Sequence, residues 1–162
     1  MVDGNGSGKC GIESRFENGR YSGYEVRLEV RRLTAYQPVQ LGNARAVHDF
    51  MRDLSNESSE YVYELLMDTK HRLTGVYMVG KGGIDRCLAD LREIYKAALV
   101  TNSPCFAIVH NHPSGVAEPS LDDQNLVQRV KAGAEILGLE FLDSVIIGNG
   151  SYFSFKNCGL MP

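Results

Sequence analysis

The 162-residue sequence predicts an α/β domain with a mixed β-sheet flanked by helices, in two or three layers. Three observations predict it. Strand-like and helical apolar patterns are interleaved along the chain. Several apolar runs are separated only by short turn-forming stretches, which marks hairpins. The length and a 43% hydrophobic composition suit a single domain with a real core.

Residues 1–22 read as a flexible tail, because Gly4, Gly6, Gly8 and Gly11 are mixed there with polar residues. Residues 23–162 then form the domain. The string Gly4-Asn5-Gly6-Ser7-Gly8-Lys9 fails as a phosphate-binding loop: its first glycine would fall on Asp3, and Cys10 replaces the needed Ser or Thr. Residues 24–31 alternate apolar and charged side chains and predict a half-buried strand, exposed or at an edge. Asn43 caps a helix whose apolar stripe is Ala44, Val47, Phe50, Met51 and Leu54. His48, on that helix, has no ligand nearby in sequence and reads as a surface or boundary residue.

After a polar linker at 55–59, the nearly continuous apolar run 61–67 predicts a buried strand. A turn at 68–72 carries His71 as an exposed residue, and 73–79 returns as the hairpin partner. Lys81-Gly82-Gly83 breaks that strand. A helix follows through Cys87, Leu88, Leu91, Ile94, Tyr95, Ala98 and Leu99. Residues 105–109 form a short strand ending at His110. A long helix is expected over 121–137, with Leu126, Val130 and Leu137 as its buried stripe and Gly138 as its stop. Residues 141–147 are a strand, 148–150 a turn and 152–155 a last strand.

Charge and composition exclude several classes. With 17 Lys+Arg against 20 Asp+Glu, no broad basic field for nucleic acid exists over the whole chain. No apolar run approaches the ~18–20 residues that span a bilayer. The N-terminus lacks the apolar core of a signal peptide. Cys10, Cys87, Cys105 and Cys158 form no Cys-x-x-Cys pair and read as free thiols of a cytoplasmic protein, none of them needed as a ligand.

The chemistry concentrates in His110-Asn111-His112-Pro113-Ser114-Gly115 and Ser120-Leu121-Asp122-Asp123. Two residues apart on extended backbone, His110 and His112 point to one face and can reach one cation. Asp123 falls in the first turn of the next helix, where the loop through Gly115 and Pro119 can bring it back. Two His and one Asp leave a fourth position open on a four-coordinate metal, as in catalytic zinc sites. Ser120-x-x-Asp123 equally fits a capping box, in which both side chains only satisfy backbone N–H groups.

This stretch resembles the signature of the RadC family, a branch of the JAB/MPN (JAMM) metallopeptidase superfamily. The superfamily motif reads Glu, then His-x-His, seven residues, Ser, two residues, Asp. The sequence has His110, His112, seven residues to Ser120, two more, then Asp123, and HNHPSG is the RadC wording. Glu60-Tyr61-Val62 through Asp68, Arg92 through Lys96, and Leu142-Asp143 through Gly148 are similar to the family's flanking elements. Ser144 departs from it, since the family commonly has His there. Residues 1–40 show a Gly-rich tail and a strand where longer members carry a helix–hairpin–helix region.

The resemblance implies a JAB/MPN-like (cytidine deaminase-like) fold and zinc as cofactor. It assigns His110, His112 and Asp123 as metal ligands, Glu60 as the residue that activates the metal-held water, and Ser120 as a holder of the oxyanion. Glu64, inside the apolar run, competes as the acid. The expected activity is that of a zinc-dependent metallopeptidase or isopeptidase on a peptide or protein substrate. The alternatives are a DNA-repair or mobile-element-associated factor acting without proteolysis and a metal-stabilised interaction module. Direct DNA binding and a membrane partner are not expected. Strand 24–31 is a candidate for pairing across a homodimer.

Overall fold

The computed structural model describes residues 39–82 and 90–161. The expected tail at 1–22, the strand at 24–31 with its dimer pairing, and Cys87 and Leu88 of the second helix lie outside the described residues.

Five strands form one sheet: β1 (Tyr61–Met67), β2 (Leu73–Lys81), β3 (Cys105–Asn111), β4 (Glu140–Ile147) and β5 (Tyr152–Ser154), in the order β2-β1-β3-β4-β5. The hairpins β1–β2 and β4–β5 are antiparallel, as their short connections require, and β1 is antiparallel to β3. Among the described residues only β3 and β4 run parallel. The connection between them contains α3 (Leu121–Leu137), the long crossover that parallel strands need. The other described helices are α1 (Ala44–Met51) and α2 (Leu91–Thr101).

The central strand β3 is buried along its whole length. This explains why it reads as a continuous apolar run rather than an alternation. On one face, α1 packs Ala44 and Val47 against Leu65, Met67, Ala107, Val109 and Val145. On the other, Ile94, Tyr95 and Ala98 of α2 and Val127, Val130 and Ala134 of α3 cover Val62, Leu66, Phe106, Ile108 and Ile146. The result is three layers. Each fully buried Phe or Ile contributes roughly 1.5–3 kcal/mol to holding them together. A mixed α/β sheet flanked by helices is what the interleaved patterns predict.

Several details differ from the expectation. The first helix ends at Met51 and tightens into a 3-10 turn, Arg52–Asn56, which still buries Leu54 but leaves Phe50 exposed. The stripe of α3 is Val127, Val130 and Ala134, whereas Leu137 is 42% exposed. The side-chain size of Leu137 misled. Here α2 approaches α3 closely, so that the Tyr95 hydroxyl donates to the Val130 carbonyl at 2.6 Å, and a small residue suits that face. Leu99 is exposed on α2, and β2 runs to Lys81, beyond 79.

Candidate metal centre

The site forms where the start of β1 meets the end of β3. Val62 is the register partner of His110, so residues just before Val62 lie beside the histidines. His110 is buried at the end of the strand. His112 follows one residue past it, and its backbone N–H donates to the Ile147 carbonyl at 3.1 Å, tying it to the end of β4. The loop then turns at Gly115, whose φ of +78° favours glycine. Its carbonyl accepts from Asn149 N–H at 2.8 Å. A Cβ on Gly148 would sit 2.6 Å from that same carbonyl, so the loop closes onto the β4–β5 turn only because Gly148 has none.

Ser120 caps α3, and Asp123 is the third residue of its first turn. Asp123 Oδ1 lies 3.1 Å from His110 Nε2, and Oδ2 lies 3.5 Å from His112 Nε2. The two Nε2 atoms are 3.2 Å apart. A tetrahedral zinc with bonds of about 2.0–2.1 Å has ligand–ligand edges of about 3.3–3.4 Å. The His110–His112 and His110–Asp123 Oδ1 edges are close to this, and one donor atom from each of the three residues lies within 4.8 Å of the others, so the group can converge on one such ion. The chemistry of the set agrees: the Val116 carbonyl lies 2.9 Å from His112 Nδ1, a partner that fixes the proton there and leaves Nε2 as the free lone pair.

Charge shapes these groups. Burial works against an ionised Asp123, but hydrogen bonds to His110 and His112 outweigh it and hold the carboxyl well below its usual range. The hydrogen bond to Asp123 raises His112 against the opposing effect of burial. Burial raises Glu60, while His110 and His112 pull it back down and Asp123 pushes it up. Glu60, partly buried, is thus electrostatically coupled to all three candidate ligands.

Asn111, the middle residue of the His-Asn-His run, has a role that sequence reasoning missed. It is fully buried and points away from the histidines, by the two-residue period of a strand. Its Oδ1 accepts from Tyr61 N–H at 2.9 Å, and its Nδ2 donates to the Ser59 carbonyl at 3.0 Å. These two backbone groups flank Glu60. The Glu60 carbonyl accepts from Gly82 N–H at 2.8 Å. The signal was available: a side-chain amide between two ligands, turned to the other face, offers both a donor and an acceptor to the next strand.

Ser120 is engaged by Asp123. Its hydroxyl donates to Asp123 Oδ2 at 2.6 Å and accepts from Asp123 N–H at 3.1 Å, while Asp123 Oδ2 accepts from Ser120 N–H at 2.7 Å. This is the capping box, and it also orients the Asp123 carboxylate. To donate to a substrate oxygen the hydroxyl must turn away from it.

Glu64 is elsewhere. It is fully buried on the α2–α3 face, opposite Ile108 and Tyr77 in register. Neither carboxyl oxygen has a hydrogen-bond partner among the described residues. Ser144 is buried opposite Ile108, and its carbonyl accepts from Phe155 N–H. His48 stacks on Tyr152 with centroids 4.8 Å apart, at the surface boundary.

A five-stranded mixed sheet flanked by helices, with a His-x-His…Asp cluster at the end of its central strand, defines a JAB/MPN-like domain. The family model of the RadC-like JAB domain matches residues 41–160, and the chain belongs to that family. It is 34% identical over 136 residues to a UPF0758 protein of Trichlorobacter lovleyi, covering 83% of this chain and 58% of that protein. It is 32% identical to one of Marinobacter nauticus, covering 88% and 66%, and 39% identical to one of Acaryochloris marina, covering 64% and 43%. The chain spans about half the length of most of the curated relatives it matches. Among the described residues, no helix is long and apolar enough to cross a membrane.

Proposed function

We propose that this domain is a zinc-dependent hydrolase of peptide or isopeptide bonds. The observation that carries the reading is the convergence of two imidazole nitrogens, 3.2 Å apart, on the two oxygens of one carboxylate at 3.1 and 3.5 Å, with Glu60 electrostatically coupled to all three residues. His110, His112 and Asp123 would hold the metal. When bound, zinc supplies Lewis acidity and brings the pKa of a water it holds from 15.7 towards ~7.

The protein's own groups do the rest. The Glu60 carboxylate takes the proton of the attacking water and returns it to the leaving amine. Burial raises its affinity for protons, which favours the return of the proton to the leaving group. Asn111 fixes the backbone on both sides of Glu60, so the carboxylate is presented in one place. Ser120 first orients Asp123; turned outward, its hydroxyl donates to the oxygen on which charge develops. A reducing, cytoplasmic setting suits Cys105 and Cys158, both free thiols.

Two measurements test this reading. His112→Ala and Asp123→Ala should each lose the metal from this site as read by atomic absorption. A peptide and isopeptide library, screened beside single- and double-stranded DNA with Glu60→Gln as the blank, should show hydrolysis of an amide bond only. Cleavage of DNA alone, or full metal content in both ligand variants, overturns the reading.

A further inference from the structure

A second set of ligand-type side chains lies at the opposite end of the sheet. His71 sits in the β1–β2 turn, Cys105 opens β3 and Glu140 opens β4, and one donor atom from each lies within 4.8 Å of the others. Cys105 is buried, His71 partly so, and Glu140 faces solvent. From Cys105 to His110 is five residues of strand, about 17 Å at the usual rise. Five is odd, so the two sites also face opposite sides of the sheet. Cys105 belongs to the core under α1, and His110 to the other face.

We propose that His71, Cys105 and Glu140 bind a second divalent metal ion of the zinc class. The donor set selects it: a thiolate with an imidazole suits zinc or cobalt, whereas magnesium and calcium take oxygen ligands. One edge of the set is already close to what is needed, where the Cys105 thiol donates to Glu140. Cys105 Sγ and Glu140 Oε2 are 3.4 Å apart, and a tetrahedral site with bonds of about 2.3 and 2.0 Å needs about 3.5 Å. They are register partners on the parallel pair β3–β4, so the sheet itself sets this edge.

The third donor is held by a rigid turn. Asp68 Oδ1 accepts from the N–H groups of Lys70 and Arg72, and His71 N–H donates to the Asp68 carbonyl at 2.8 Å. The His71 carbonyl accepts from Leu41 N–H at 2.9 Å. Within this turn His71 has φ +54°, a left-handed conformation that costs a residue with a Cβ roughly 1–2 kcal/mol. A histidine therefore stands, brought towards a cysteine and a carboxylate, where a glycine would be unstrained. Three protein donors leave the fourth position to water. The ion would tie the β1–β2 turn to the starts of β3 and β4, and it stabilises the fold by mass action.

The experiment uses the full chain, stripped with a chelator and titrated with cobalt(II), then zinc(II). The His110–His112–Asp123 set has no sulfur. A thiolate-to-cobalt charge-transfer band in the near ultraviolet therefore reports the second site alone. We expect two metal equivalents and this band in the wild type. Cys105→Ser should lose the band and one equivalent; His112→Ala should keep the band. Glu140→Gln and His71→Gly, which leave the thiol and core in place, should weaken metal uptake at the band by tenfold or more. A wild type that binds one equivalent without the band overturns the second site and leaves the hydrolase site standing. One equivalent with a band that survives His112→Ala does the reverse. A band that persists in Cys105→Ser traces to another thiol and also overturns the proposal.

Discussion

Glu60 and Glu64 are four residues apart, at and just inside the start of one strand, yet they live in different chemistry. Burial raises both carboxyls. At Glu60 two histidines oppose that effect and one aspartate reinforces it, so its proton affinity is set by a balance of charges. At Glu64 burial acts alone and pushes the carboxyl up to about 8. Its two oxygens have no hydrogen-bond partner among the described residues. The difference teaches that a perturbed carboxyl becomes a candidate base through what faces it. Desolvation by itself produces only a neutral acid in the core.

The largest test of this contrast is catalytic. Glu60→Gln should keep the metal and lower turnover by about 10²–10⁴-fold, the usual worth of a positioned general base. Glu64→Gln should leave turnover within a few-fold. Equal losses in steady-state kinetics would erase the distinction between the two residues.

Next in size is stability. The folded-state pKa of Glu64 lies above the ordinary 4.5. Between those values the folded state binds more protons than the unfolded one, so stability falls as pH rises from about 4.5 to about 8, then levels off. The loss is roughly 5 kcal/mol, from about 1.36 kcal/mol per pH unit over that range. Glu64→Leu should remove that slope and be the more stable protein at pH 9. Denaturant unfolding of both proteins at pH 5 and pH 9 measures it, and parallel profiles would show that Glu64 is not desolvated.

Asn111→Ala sharpens the Glu60 side. It leaves partly buried backbone groups of Ser59 and Tyr61 without this partner, at about 1 kcal/mol or more. Because those groups flank Glu60, kcat should fall by about tenfold while KM and metal content hold, and the pH profile of kcat should shift. A variant that merely loses stability would make Asn111 a structural clamp only. The smallest effect belongs to Ser120→Ala: loss of the helix cap should cost about 1 kcal/mol in thermal unfolding. A fall in kcat of about 10² with metal affinity unchanged would support the oxyanion role, since a loss that came through a misplaced Asp123 would also weaken metal binding.

Much of the architecture was readable because short connections and continuous apolar runs leave few alternatives. The hairpins at 68–72 and 148–150, the buried β1 and β3, and α3 ended by Gly138 all follow from local chemistry. What was misread depended on contacts between elements. Leu137 and Phe50 are apolar enough for a core, but the face each helix presents is set by the close approach of its neighbours. His71, read as an exposed turn residue, is only partly exposed and lies with Cys105 and Glu140. Sixty-nine positions separate His71 from Glu140, and no spacing rule relates them.

By itself, the sequence determined that His110 and His112 share one face, because extended backbone repeats every two residues. It also determined that Asp123 opens a helix behind a capping serine, because only a few side chains can satisfy a helix's first N–H groups. Tertiary structure decided the rest. The antiparallel pairing of β1 with β3 brings Glu60 to the histidines and seals Glu64 away from them. The sheet also gathers His71, Cys105 and Glu140 at its far end. Local backbone preferences act over a few residues, whereas the register of a sheet brings together residues the chain holds far apart.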